Sequence, residues 1–76
     1  LMEDILELII DERGRQDEKW AEQNHEPLKW LAILGEEVGE ANKAVLDKDM
    51  DNLKEELIQV SATALAFIEC LERNKS

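Results

Sequence analysis

Two short patterns in this chain could do chemistry: Glu36-Glu37-Val38-Gly39-Glu40 and, further along, Glu55-Glu56-Leu57-Ile58-Gln59. Each sets oxygen-bearing side chains three residues apart, at Glu37 and Glu40 and at Glu56 and Gln59. On a helix, residues i and i+3 share a face, about 4.5 Å apart along the axis. Two such faces brought together make a pocket crowded with carboxylates, which repels itself and calls for a cation. Oxygen ligands with no histidine pair or thiolate beside them suit a hard ion, Mg²⁺ or Mn²⁺, rather than zinc. Mg²⁺ usually shares itself between one or two carboxylates and substrate phosphates, so the pattern points to phosphate chemistry. A spare carboxylate close by could orient a water molecule or accept its proton.

Helices must position these groups, and the periodicity predicts three. The first runs from residue 2 to about 23, where Met2, Ile5, Ile9, Arg13, Gln16 and Trp20 form one stripe. Its first half is aliphatic; its second half carries groups that donate hydrogen bonds or stack, facing either solvent or a polar pocket. Asn24-His25-Glu26-Pro27 then breaks the helix, with proline suited to the first turn of the next. The second helix is expected from about Pro27 to about Leu46, with Trp30, Leu31, Leu34, Val38, Ala41 and Val45 as its apolar arc. Glu37 falls inside that arc, Glu40 lies at its edge, and Glu36 points to water. An ionised carboxylate within an apolar face is costly unless paired or metal-bound, which makes Glu37 the most informative anomaly in the sequence.

Asp47-Lys48-Asp49 reads as a turn, with Asp49 or Asp51 as the N-cap of a third helix from about Met50 to about Arg73. Leu53, Leu57, Val60, Ala64, Phe67 and Leu71 make its main stripe. Glu56 projects beside that stripe, Gln59 lies one step further round, and Glu55 is outside it. From Val60 to Leu71 the helix is apolar on nearly every side, so it should be buried on every side. Two other helices are too few for that, and a second subunit is implied. The fold class expected is all-α: a three-helix antiparallel chain that completes a helical bundle by oligomerisation.

Size and charge agree. Seventy-six residues make a single domain, 1–76, and a chain this short buries only about 60% of its unfolded surface. With 19 acidic against 9 basic residues the net charge is -10, which argues against a nucleic-acid polymer as partner. A small anionic substrate delivered with a divalent metal remains compatible, because the metal supplies positive charge. Cys70 is the only cysteine, so no intrachain disulfide is possible and a reducing compartment is expected. Apolar neighbours make it a buried structural thiol. No apolar run approaches the ~20 residues of a membrane span, and a cytoplasmic location is the expectation.

The segment Leu34-Gly35-Glu36-Glu37-Val38-Gly39-Glu40, followed by Glu56-Leu57-Ile58-Gln59, resembles the paired metal motif of the MazG-like all-α nucleoside triphosphate pyrophosphohydrolases. Arg15-Gln16-Asp17-Glu18-Lys19-Trp20, with Asn24-His25 before Pro27, is similar to the N-terminal region of the short, phage-type members. The likeness covers nearly the whole chain in the family's order. It implies Mg²⁺-dependent hydrolysis of a (deoxy)nucleoside triphosphate to the monophosphate and pyrophosphate, water attacking the α-phosphorus. Glu37, Glu40 and Glu56 would be the catalytic metal ligands, with Gln59 as a further ligand. Gln16, Trp20 and His25 would contact the nucleotide. The resemblance also implies a homodimer or homotetramer in which helices of two subunits complete the sites. Gln59 stands where the family motif has Asp, which removes one negative charge. Two further classes therefore stay open: a homologue that binds nucleotide or metal with weakened or no catalysis, and a structural helical-bundle partner.

Overall fold

The computed structural model describes residues 1–75; Ser76, the last residue of the expected domain, lies outside them. It consists of helices α1 (Met2–Trp20), α2 (Pro27–Leu46) and α3 (Met50–Arg73), with no strand among the described residues. Pro27 occupies the first turn of α2, where its missing N–H costs nothing. Asp49, rather than Asp51, caps α3: its side chain accepts from the backbone N–H of Asn52 at 3.1 Å. The turn before it carries Lys48 at φ 57°, a left-handed conformation in which an L side chain is strained.

α1 stops at Trp20, not near residue 23. Ala21 adopts φ 58° and its N–H closes the helix on the Asp17 carbonyl at 2.8 Å. The residues that would have continued it are captured by the far end of α3. Arg73 Nη2 donates to the Gln23 carbonyl at 2.9 Å and to Asn24 Oδ1 at 3.2 Å, and Arg73 Nε pairs with Glu22 at 3.4 Å. Asn74 Nδ2 adds a bond to Asn24 Oδ1 at 3.3 Å, and the Cys70 thiol lies 3.6 Å from the same oxygen. These tertiary bonds outweigh the helix preference of Glu22 and Gln23, which are good helix formers but gain only roughly tenths of a kcal/mol from it.

Successive helices reverse direction. Across α2 and α3, Trp30 stacks on Phe67 (ring centroids 5.6 Å apart, planes 8° apart) while Glu37 and Glu40 meet Glu56 at the other end. Residue numbers that fall on one helix as they rise on the other mean an antiparallel pair. Across α1 and α3 they rise together, from Leu6 beside Ser61 and Leu65 to Arg13 bound to Glu69, so that pair is parallel. α3 is thus the middle element, packed on α2 and on α1, while α1 and α2 do not pack on each other.

The result is a three-helix layer of 43 × 27 × 21 Å. Its radius of gyration, 13.1 Å, exceeds the ~11.4 Å expected of a compact chain of this length. The interior is small. Trp30, Ala41, Ala44, Ala62, Thr63 and Cys70 are the buried residues, and α1 contributes none. No described helix is long and apolar enough to cross a membrane.

Candidate functional site

The antiparallel packing of α2 on α3 brings the two glutamate patterns together. Glu37, Glu40 and Glu56 each offer a carboxylate oxygen, and the three oxygens lie within 4.8 Å of one another. Glu37 and Glu56 are half-buried and Glu40 is exposed. One oxygen of Glu37 and one of Glu56, both Oε2, are buried without a hydrogen-bond partner among the described residues. Buried acceptors left bare are costly. Gln59 sits one helical turn beyond Glu56, half-buried. Glu36 and Glu55 are exposed, as their helical phase requires.

The electrostatics follow from this crowding. Burial pushes the Glu37 carboxyl above the ordinary carboxylate range, and the charges of Glu40, Glu12 and Glu36 push it further. Burial likewise raises Glu56, followed by the close approach of the Glu40 carboxyl and the charges of Glu40, Glu37 and Glu55. Such a cluster relieves itself either by holding protons or by holding a cation. Three carboxylates and a neighbouring amide, with no imidazole or thiolate among them, fit a hard divalent ion and supply a donor set of oxygen alone.

The gap between α1 and α2, floored by α3, forms a groove of about 490 Å³ that reaches Glu37. That volume lies in the range of small-molecule sites, ~300–1,000 Å³. Gln16, Trp20 and His25 all line it, so the three candidate substrate contacts and Glu37 share one concavity. Glu40 and Glu56 do not line it and are tied to it through Glu37, whose carboxylate lies within 4.8 Å of theirs. Trp20 is 57% exposed, with the Lys19 ammonium 4.8 Å from its ring. His25 pairs through Nε2 with Gln23 Oε1 at 2.8 Å and sets its ring edge against Trp30, centroids 5.0 Å apart. Trp30, at 2% exposure, is the wall behind them.

Five further charged groups stand at or near this site, and the sequence assigns none of them a place there. Arg13 was visible in the α1 stripe, but not its partner. Its Nη2 sits 2.7 Å from Glu69, its Nε donates to the same oxygen at 2.8 Å, and its Nη1 donates to Asp17 at 3.1 Å and Gln16 at 3.3 Å. Gln16 is thereby held in place by a fixed guanidinium. Glu69 did leave a signal, as the single charge in an otherwise apolar run of α3. Arg73 and Lys29 add two further cations to the lining. Glu12, held by Arg15 Nη2 at 2.7 Å and Nε at 2.9 Å, is close enough for its charge to raise the Glu37 carboxyl. An i,i+3 acid–base pair is ordinary on any helix, so nothing in its spacing marked Glu12.

Comparison with protein-family profiles, with curated proteins and with solved structures finds no match to this chain. The reading of the site therefore rests on its own residues and their geometry.

Proposed function

We propose that this chain is a Mg²⁺-dependent nucleoside triphosphate pyrophosphohydrolase, converting a (d)NTP and water to the (d)NMP and pyrophosphate. The observation that carries the reading is the Glu37–Glu40–Glu56 cluster, with two bare buried oxygens, joined through Glu37 to a groove lined by Trp20, Gln16 and His25. Glu37, Glu40 and Glu56 would hold the metal, with Gln59 available through its amide oxygen. Mg²⁺, or Mn²⁺ in its place, supplies Lewis-acid polarisation of phosphate oxygens and a lowered pKa for bound water.

The chain's own residues do the rest. The indole of Trp20 offers a face for a base, and Gln16, clamped by Arg13, offers an amide for base or sugar edges. His25 and Lys29 lie where they can donate to phosphate oxygens. A carboxylate of the cluster not engaged in holding metal can accept the proton of the attacking water, which its raised pKa favours. Assembly as a homodimer or homotetramer belongs to the same reading.

Pyrophosphate release from a panel of nucleoside triphosphates, with Mg²⁺, with Mn²⁺ and with chelator, tests it. Metal-dependent turnover of at least one nucleotide is expected, and no turnover with any pair of nucleotide and metal would sink it. Gln59 favours a second reading, nucleotide or metal binding without hydrolysis, because a neutral amide weakens the hold on a divalent ion. Calorimetric binding without turnover selects that reading.

A further inference from the structure

We propose that a second copy of this chain docks on the apolar face formed by α3 and the first half of α1, opposite the carboxylates. The inference specifies the surface used for the assembly proposed above, and it rests on packing alone, not on catalysis. At about 100° per residue, positions nine apart on a helix point in opposite directions. Gln59 and Ile68 are such a pair on α3, as are Leu57 and Ala66. Ala66 lines the groove that reaches Glu37, whereas Ile68 lines a separate groove on the other side.

That second groove, about 260 Å³, is bordered by Leu6, Ile9 and Ile10 of α1 and by Ser61, Ala64, Leu65 and Ile68 of α3. None of these is charged. The one polar side chain, Ser61, already donates its hydroxyl to the Leu57 carbonyl at 2.9 Å and makes no demand on a partner. Large side chains stand beside small ones: Ile10 is 64% exposed and Ile68 54%, next to Ala64 and Ser61. A ridge beside a groove on one surface is self-complementary under a twofold axis, which seats each ridge in the other copy's groove.

Area and charge favour a second copy over other occupants. The chain exposes 5846 Å². A folded monomer of 8.7 kDa exposes about 4,700 Å². The excess, about 1,100 Å², slightly exceeds the ~800 Å² that each partner loses in a standard interface. α1 buries no residue of its own, so its helicity needs packing that one chain does not provide. A net charge of -10 opposes approach to an anionic membrane surface. It also opposes contact between copies everywhere except on an uncharged face such as this one. The two grooves lie on opposite sides of α3, so each copy keeps its Glu37–Glu40–Glu56 cluster outside the interface. This departs from sites completed by helices of two subunits.

Sedimentation equilibrium of the whole chain, from low to high micromolar concentration, is the test. The expected mass is twice 8.7 kDa. Ile68→Glu should weaken association by at least about 30-fold, as for a central interface residue, with helix content by circular dichroism retained. Should that variant lose helix content, Ile10→Glu on α1 reads the same face. Trp20→Glu, on the carboxylate side, should leave the mass unchanged. A wild-type mass of one chain throughout overturns the proposal. So does dissociation by Trp20→Glu, or an assembly of any size that Ile68→Glu and Ile10→Glu both leave intact. Because mass and nucleotide turnover are read separately, a failure here is distinguishable from a failure of the hydrolase reading.

Discussion

Replacing Glu37 by Gln should stabilise the metal-free protein while destroying its response to metal. The side chain keeps its shape and loses its charge. Two unit charges at the 4.8 Å limit of the cluster repel by about 3.5 kcal/mol at an effective dielectric of ~20 and by about 0.9 kcal/mol in bulk water. Glu40 is exposed and the cluster borders an open groove, so screening holds the relief near the lower figure, about 1 kcal/mol. For a domain of this size that is an increase of about 4–8 °C in Tm. The assay is thermal unfolding by circular dichroism at neutral pH, in chelator and in millimolar Mg²⁺. In chelator the variant should melt above the wild type. In Mg²⁺ the wild type should gain and the variant should not, with pyrophosphate release lost. At ten times its dissociation constant, a ligand contributes about 1.4 kcal/mol, enough to reverse the order.

The pH dependence has a definite sign. Glu37 and Glu56 titrate higher in the folded chain than in the unfolded one, by burial first and neighbouring charges second. The native state therefore holds more protons across the window between the two values, and stability from these groups falls as pH rises through it. Protons and metal compete for the same oxygens, so the Mg²⁺ increment should fade as pH drops into that window. A Glu37→Gln variant that melts below the wild type in chelator, or one that gains as much from Mg²⁺, would refute the reasoning.

Gln59→Asp should raise Mg²⁺ affinity on the order of tenfold by adding a charged oxygen, read by calorimetry, and should raise turnover; weaker binding would place residue 59 outside the site. Trp20→Ala should raise KM by about tenfold through lost stacking, with kcat little changed and stability within about 0.5 kcal/mol of wild type, as suits an exposed side chain. Arg13→Ala removes the bond between α1 and α3 at a guanidinium only 16% exposed. A loss of about 1 kcal/mol in urea unfolding is expected, discounted because Glu69 is half in solvent, and a double cycle with Glu69→Ala should show coupling. Lys48→Gly relieves the left-handed turn before α3 and should add about 0.5–1 kcal/mol, measured as a shift in the urea midpoint.

What the sequence disclosed is what one helix can encode by itself. The apolar arc of α2 and the carboxylate inside it are facts of phase, and a three-residue turn leaves α2 and α3 no choice but to fold back. That alone sets Glu37 and Glu40 against Glu56. The end of α1 is different, since Glu22 and Gln23 are good helix formers and only Arg73, fifty residues away, draws them out. Arg13–Glu69 and the charge of Glu12 acting on Glu37 are of the same kind. Each depends on how α1 is laid against α3, and no local pattern states that.

The placement of α1 also explains why the chain has so small a core. By packing on α3 alone, α1 leaves α2 at a distance and opens the groove that Gln16, Trp20 and His25 line. A tighter three-helix bundle, with α1 drawn against α2, would close that groove. The open layer keeps a concavity beside the carboxylates at the expense of an apolar back. If Ile68→Glu dissociates the protein and lowers its Tm while the isolated chain stays helical, the missing core lies between copies. If the single chain is already as stable as its assembly, that account of the open layer is wrong.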